Sequence, residues 1–425
     1  MAFPAAALAG YTLWLLSLPM EGFLLGCAGG ATSLLFFLFP HVASLFLSSR
    51  LPRQAFAGIS RLAGLTAVAG TLLFPLWPEC SKALLVALGV LSGPVALRAG
   101  AIVKADRDPQ YCAASSLIAA NLLLAALVPA PVPFWHKLVL VGLALSVPVL
   151  TELPGQPIAA LPGASPPPRR EPLSSYLPLI FVFHLVSGIF YGSLMPAYER
   201  VRLLPAVELV FYVAAVLLAL KPFAREMERA LTGAVLLSMS SLGLFLAQTV
   251  ESIHLSMFAM QAAAGFMDVF VLFLLLGQDD PIDAFGVGLG TLCSGILAGN
   301  LVSLFLGNLP GAIPLIGNMA LNLALLALYW LGRRTPAQAP VPLPVEPEER
   351  PAAAHRLPPG LHARLSAMER SVLSAILNGS TFREAAAELA VSESSIKTYM
   401  RRIYEKAGVR GKDALLALLS PEGEA

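Results

Sequence analysis

The side chains best suited to chemistry lie close to the end of the chain, in the stretch Ser392–Gly408. Apolar residues recur in this stretch at helical spacing, at Ile396, Met400, Ile403 and Ala407. At about 100° per residue, Lys397, Thr398 and Arg401 point roughly the opposite way. The pattern predicts a helix with one apolar and one cationic face, and outward-facing cations are suited to the phosphates of nucleic acid.

Capping signals predict that this helix is the third of a compact unit. Ser366 with Glu369, and Thr381 with Glu384, each fit a capping box, in which two side chains satisfy backbone N–H groups of the first helical turn. Ser392 is suited to cap the next helix. Three short helices in this order predict a helix-turn-helix unit.

The run from Leu365 to Leu419 resembles the LuxR/NarL-type DNA-binding domain, without gaps. The matching positions are Leu365, Glu369, Val372, Leu373, Gly379, Glu384, Ala386, Leu389, Ser392, Ile396, Lys397, Ile403, Lys406, Gly408, Val409 and Leu415. The departures are Tyr399 where the family usually has His, Ala385 where it has Ile, and Met368 where it has Arg.

The resemblance implies a partner, double-stranded DNA, and a role for each polar residue of the third helix. Lys397, Thr398 and Arg401 would face base edges. The residues expected at phosphates are Arg402, Lys406, Ser394 and Ser395. A fourth helix, Lys412 to Leu419, would form the contact of a homodimer on DNA. From Leu361 onward there are nine Lys and Arg against eight Asp and Glu, so one copy is expected to bind DNA weakly.

The composition of the whole chain is that of a membrane protein. Of 425 residues, 57% are hydrophobic and 13% are charged, against about 25% charged in soluble domains. Of the 54 charged residues, 24 lie from Arg333 onward. The four cysteines are scattered singly, and we expect neither a disulfide framework nor a metal site.

Apolar runs long enough to cross a bilayer can be placed twelve times before this charged region. They lie near 5–26, 32–49, 57–77, 80–103, 111–130, 134–152, 174–195, 204–221, 228–249, 252–276, 284–307 and 311–332. The predicted fold is all-α: a polytopic membrane helix bundle of about twelve spans, six plus six, followed by a small soluble four-helix helix-turn-helix domain.

The predicted domains are a transmembrane sensor bundle at 1–333, with halves 1–152 and 174–332 and a cytoplasmic loop at 153–173; a Pro-rich cytoplasmic linker at 334–362; and the DNA-binding domain at 363–421. Thirteen Lys and Arg then fall on the cytoplasmic side and four outside, which predicts cytoplasmic termini in a bacterial inner membrane.

Six plus six spans resemble the major facilitator superfamily. The loop SSRLPRQ lacks the acid and the Gly of that family's usual motif, which argues against ordinary transport activity.

Ionisable residues inside apolar spans are costly and indicate function. Glu21, His184 and Asp268 are the predicted contacts of a small-molecule ligand; the alternative is that they only pair with neighbours to hold the bundle. Asn121 is a weaker candidate. The small-residue pairs Gly286/Gly290 and Gly295/Gly299 predict close helix approach inside the bundle rather than dimerisation.

The predicted function is a membrane-anchored one-component transcriptional regulator, whose transmembrane domain senses a small molecule and controls sequence-specific DNA binding. The alternative is a major-facilitator-like transporter with an attached regulatory DNA-binding domain. No nucleophile elbow, phosphate loop, paired carboxylates or Cys/His metal set is evident, so we expect neither an enzyme nor a cofactor.

Overall fold

The structure, a computed structural model, describes residues 2–20, 33–153, 173–220, 227–306, 312–334, 361, 364–377, 380–389, 391–409 and 414–415. Every regular element in these residues is helical, as predicted. The chain divides into two compact units, Met1–Arg334 and Thr335–Ala425.

The first unit contains twelve helices of 13 or more residues among its described residues, one in each predicted span. They are α1 Ala2–Leu15, α2 Leu34–Ser49, α3 Arg53–Leu73, α4 Ser81–Lys104, α5 Pro109–Leu127, α6 Phe134–Leu150, α7 Leu173–Val201, α8 Glu208–Leu220, α9 Met227–Phe245, α10 Val250–Leu276, α11 Pro281–Leu306 and α12 Ala312–Arg334. A π-helical turn, Leu16–Met20, extends α1.

Six of these helices are long and apolar enough to cross a bilayer by length and composition: α3, α4, α5, α7, α10 and α11. The other six carry shorter apolar stretches of 10–17 residues. Many large apolar side chains of the bundle are exposed, including Phe39, Leu62 and Phe305 at 67%, 67% and 86%. Such a surface suits lipid, and the bundle is a membrane domain.

The first unit is built from two similar halves, α1–α6 and α7–α12. Helix α1 packs on α5 and α6, and α7 packs correspondingly on α11 and α12. Likewise α2 packs on α4 as α8 packs on α10, and α3 packs on α6 as α9 packs on α12. The halves meet mainly through two equivalent pairs, α2 with α11 and α8 with α5. Helices α2 and α5 of the first repeat and α8 and α11 of the second therefore flank any group that lies between the halves.

Glycines allow the closest helix crossings in this bundle. A Cβ on Gly299 of α11 would collide with the carbonyl oxygen of Leu185 on α7, and a Cβ on Gly295 would collide with that of Phe181. Gly286 likewise faces the backbone and side chains of α2. These small residues serve packing inside the bundle, as predicted.

A buried arginine ties three helices of the first half together. Arg98 of α4 is 4% exposed. Its Nε donates to the carbonyl oxygen of Pro148 and its Nη2 to that of Thr151, both at 2.7 Å. Its Nη1 reaches Ser60 Oγ of α3 at 3.2 Å. The guanidinium thus satisfies carbonyls at the C-terminal end of α6, where the helix leaves them without partners.

The two halves are also joined by charged side chains at one end of the bundle. Arg53, at the start of α3, pairs with Asp280, just before α11, at 2.5 Å. Lys104, at the end of α4, donates to the carbonyl oxygen of Leu276, at the end of α10. These contacts hold the two repeats together at the end where α2 and α10 finish.

The second unit contains three helices in its described part: α13 Ala367–Leu377, α14 Phe382–Glu388 and α15 Glu393–Ala407. Of the predicted fourth helix, only Ala414 and Leu415 are described. Leu415 is buried and belongs to the same apolar core as α13 and α15. The remainder of that helix, with its predicted dimer contact, lies outside the described residues.

Candidate nucleic-acid interface and candidate ligand site

The first helix of the C-terminal unit begins at the predicted capping box. The Ser366 N–H donates to Glu369 Oε2 at 2.7 Å, and the Glu369 N–H donates to Ser366 Oγ at 3.3 Å. The second helix begins in the same way, with Thr381 N–H to Glu384 Oε2 at 2.8 Å and Glu384 N–H to Thr381 Oγ1 at 3.3 Å. Both predicted capping boxes are confirmed, and each satisfies backbone donors that a helix start leaves free.

The third helix, α15, has a well-defined start and end. Ser392 Oγ accepts from the Ser395 N–H at 3.1 Å, as a cap should. At the other end Gly408 takes the left-handed conformation, with φ 71°. The next N–H, that of Val409, donates back to the Tyr404 carbonyl at 3.1 Å. This arrangement fits a Schellman ending, in which glycine avoids the Cβ strain of positive φ.

The apolar stripe of α15 is the side that packs on its own domain. Ile396, Met400 and Ile403 are at most 1% exposed. They share a core with Val372 and Leu373 of α13. Burying this stripe fixes the rotation of α15 about its axis, so the opposite face is presented outward.

That outward face carries the predicted DNA-contacting side chains. Lys397, Thr398, Arg401 and Arg402 are all exposed. Thr398 Oγ1 donates to the Ser394 carbonyl at 3.0 Å, and Arg401 Nε lies 4.0 Å from Glu405 Oε1. An exposed i,i+4 pair of this kind is weak, so Arg401 is available to another anion.

The two predicted serines lie at the N-terminal end of α15. Ser394 Oγ and Ser395 Oγ each lie 2.8 Å from Ser392 Oγ. Three hydroxyls therefore gather where the helix leaves backbone N–H groups free, which is a setting that favours a phosphate.

Lys406 makes a contact within its own domain that its predicted role at a phosphate did not suggest. Its Nζ lies 2.6 Å from Glu369 Oε2 on α13. The hydrogen bond from Lys406 holds the pKa of Glu369 below its ordinary value, and the Ser366 N–H adds to this effect. The Glu369 side chain is almost fully buried. Lys406 thus ties the end of the third helix to the start of the first, and its phosphate contact stays a prediction. Glu369 and Lys406 both match the LuxR/NarL-type pattern in the sequence. That match was the available sign that the two residues matter to the domain.

In the membrane unit, two of the three residues predicted to bind a ligand have different partners. Glu21 lies outside the described residues. His184 of α7 is buried, with its Nδ1 2.8 Å from the Ile180 carbonyl oxygen of its own helix. It also packs against Gly295 of α11. Asp268 of α10 instead accepts a 2.7 Å hydrogen bond from the Tyr212 hydroxyl of α8. No contact among the described residues joins His184 to Asp268.

The surroundings of Asp268 bring together groups from both halves. Asn121 of α5 lies within range of an electrostatic interaction with the Tyr212 hydroxyl. The thiol of Cys293 on α11 lies within electrostatic range of the Asp268 carboxyl and of the Tyr11 hydroxyl of α1. Apart from Asp268 and Asn121, the sequence did not single out these residues as ligand contacts, because a single tyrosine or cysteine in an apolar span carries no pattern.

Comparisons with known proteins agree with both units. The family model described as bacterial regulatory proteins, luxR family, matches residues 363–419. Two relatives named probable transcriptional regulatory protein NarL, from Mycobacterium tuberculosis strains CDC 1551 / Oshkosh and ATCC 25618 / H37Rv, are 47% identical over 53 residues. That match covers 12% of this chain and 24% of each relative. The chain therefore spans about a quarter of the length of these curated relatives.

The membrane unit resembles a solved transporter structure. The crystal structure of the human organic anion transporter MFSD10 (TETRAN) matches with a TM-score of 0.50 and 15% identity, over 77% of this chain and 96% of that chain. At this identity the likeness concerns the fold alone. The chain thus joins a LuxR-type helix-turn-helix domain at its C-terminal end to a helical membrane bundle with a major-facilitator-like fold.

Proposed function

We propose that this protein is a membrane-anchored one-component transcriptional regulator, in which the membrane bundle senses a small molecule and controls DNA binding by the C-terminal domain. The observation that carries the proposal is the exposed cationic face of α15, with Lys397, Thr398 and Arg401 opposite a buried apolar stripe. A capped helix of this kind is suited to the major groove, where long polar side chains reach base edges.

The roles of the individual residues follow from their positions. Lys397, Thr398 and Arg401 contact bases. Arg402, Ser394 and Ser395 contact phosphates, and Lys406 does so while it remains paired with Glu369. Two copies read two half-sites, with a dimer contact in the predicted fourth helix. Both termini lie in the cytoplasm of a bacterium, because Lys and Arg concentrate in the connections that this topology places there.

Control by the membrane unit requires two states with different affinity for the sensed molecule. The two similar halves provide them, since they meet through few helices and can move against each other. The predicted ligand residues Glu21, His184 and Asp268 stay predictions; the contacts of Asp268 with α8 and α11 support its place between moving parts.

The test uses the full-length protein in lipid nanodiscs and a library of random duplexes. The wild type is expected to enrich duplexes with two related half-sites about 10 bp apart. Replacing Lys397 and Arg401 by Ala should reduce retention by about 5- to 150-fold for each lost base contact. Arg370→Ala, which removes a cation from α13, is the matched control and should retain the duplexes. Equal retention by the wild type and the double variant would refute DNA reading by α15.

A second candidate is a transporter with an attached regulatory DNA-binding domain. It is favoured by one observation, the match of the twelve-helix arrangement to 96% of a transporter chain. The two candidate functions differ in whether the protein moves a solute across the membrane. Time-dependent accumulation of a solute in proteoliposomes, above protein-free vesicles, would establish transport. Ligand-dependent DNA retention without accumulation would establish the sensor.

A further inference from the structure

Each half of the membrane unit contains one helix crossing that is built in the same way. The crossing in the first half therefore serves as an internal control for the crossing in the second. In the first half, a Cβ on Gly89 of α4 would collide with the carbonyl oxygen of Phe37 on α2. In the second half, a Cβ on Gly265 of α10 would lie 2.6 Å from the carbonyl oxygen of Tyr212 on α8. The two crossings are therefore equivalent, and Tyr212 corresponds to Phe37.

One turn further along, the two halves differ in chemistry. Ser92 lies three residues after Gly89, and its hydroxyl lies 2.7 Å from His41 Nδ1. Asp268 lies three residues after Gly265, and it pairs with Tyr212. The first half makes the same crossing with a serine and no carboxyl. Packing alone therefore does not require an acid at Asp268.

The Asp268 carboxyl lacks a compensating charge. Its Oδ2 accepts from the Tyr212 hydroxyl at 2.7 Å, and no Lys, Arg or His among the described residues pairs with it. A carboxylate inside a membrane span is costly without a partner. Although the adjacent residues Met267 and Val269 are at most 2% exposed, Asp268 remains partly accessible. Asp268 is therefore not fully enclosed by protein.

The first half supplies further polar groups to the same place. The Tyr11 hydroxyl of α1 is buried and has no hydrogen-bond partner among the described residues. Burying such a hydroxyl costs free energy unless it forms a hydrogen bond. The Tyr11 hydroxyl lies within electrostatic range of the Cys293 thiol, which is in turn within electrostatic range of the Asp268 carboxyl. Asn121 of α5 approaches Tyr212. The group thus draws on α1 and α5 of one half and on α8, α10 and α11 of the other.

We propose that Asp268, Tyr212, Asn121, Tyr11 and Cys293 form a binding site for an organic cation, of the protonated-amine class, between the two halves. An ammonium group supplies the charge that Asp268 lacks, and its N–H groups donate to the free carboxylate oxygen. The apolar body of the amine lies among the surrounding side chains. The inference rests on the proposed function, because a ligand that bridges the halves can bias their relative position and so be the sensed molecule.

The test is equilibrium dialysis of the full-length protein in zwitterionic nanodiscs at neutral pH, with empty nanodiscs as background. The probes are 1-naphthylmethylammonium and the neutral 1-naphthylmethanol, which share one ring system and differ in charge. The wild type is expected to bind the ammonium about tenfold or more tightly than the alcohol, as a charge-assisted hydrogen bond implies. Asp268→Asn should abolish that preference. Tyr212→Phe, which copies the first half, should weaken it.

Two further variants keep the test decisive. Asp268→Ser reproduces the residue that the equivalent crossing already accommodates, so it preserves the fold if Asp268→Asn does not. Ser92→Ala changes the equivalent site in the other half and should keep the preference for the cation. A wild type without preference, or an Asp268→Ser protein that retains it, would overturn the proposal. If the cation binds through Asp268 but leaves DNA retention unchanged, the site stands and the proposed sensing role fails.

Discussion

The ion pair between Lys406 and Glu369 allows the two possible roles of Lys406 to be separated. Lys406→Met removes the charge and keeps the apolar length of the side chain. Removing one partner of a fully buried pair costs about 3–5 kcal/mol. Here the Lys406 side chain is 36% exposed and that of Glu369 is 4% exposed. Water therefore screens part of the pair, and we expect a loss of about 1–2 kcal/mol.

The assay is thermal unfolding of the C-terminal unit, Thr335–Ala425, which has an apolar core of its own. For a domain of this size, such a loss lowers the midpoint by about 5–15 °C. Arg402→Met is the matched control, because it removes an exposed cation from the same helix and should change stability by less than about 0.5 kcal/mol. Both variants are expected to weaken DNA binding.

The dependence on pH supplies a second check of the same reasoning. The pKa of Glu369 is lowered in the folded domain, chiefly by the hydrogen bond from Lys406. A lowered pKa contributes stability that is fully present above the unfolded value, about 4.3 for glutamate, and is lost as the pH falls through the folded value. The stability difference between wild type and Lys406→Met should therefore shrink on acidification below about pH 4. An unchanged midpoint for Lys406→Met at neutral pH would refute a structural role for this pair.

Three further predictions concern the membrane unit. Arg98→Met should lower its free energy of unfolding by about 2–4 kcal/mol, since several buried carbonyls lose their donor; an unaltered melting midpoint in detergent would contradict this. Arg53→Asp should change ligand-free DNA retention by up to about fivefold, because an exposed pair is worth about 1 kcal/mol or less, and adding Asp280→Arg should restore it; no recovery in the doubly exchanged protein would argue against the pair. Gly299→Ala should destabilise the crossing of α7 and α11 by about 1–3 kcal/mol, whereas Gly243→Ala, whose Cβ meets nothing within 4 Å, should not; equal melting midpoints would show that the crossing adjusts.

Local features of this protein could be predicted from its sequence because their causes lie within a few residues. A capping box needs only Ser366 and Glu369, or Thr381 and Glu384, three residues apart, and both form as expected. The apolar stripe of α15 depends on one helical period, and Ile396 and Ile403 are fully buried. Membrane spans depend on the length of apolar runs, and all twelve are helical in the described residues.

The pairing of polar groups was not predictable in this way. Lys406 meets Glu369 across 37 positions, Tyr212 meets Asp268 across 56, and Arg53 meets an acid across 227. The apolar pattern determines which face of a helix is buried, but not which turn of another helix lies opposite. That choice depends on where glycines permit close approach and on how the two halves stack.

The sequence alone therefore determined the type of each unit, the number of helices in the membrane unit and the cationic face of α15, because hydrophobicity, helical period and capping act locally. Only the tertiary structure decided that Lys406 supports its own domain, that His184 and Asp268 have separate partners, and that Tyr212 accompanies Asp268. The physical reason is that a hydrogen bond extends about 3 Å, so a pairing between distant residues exists only once helix packing has brought both atoms to one place.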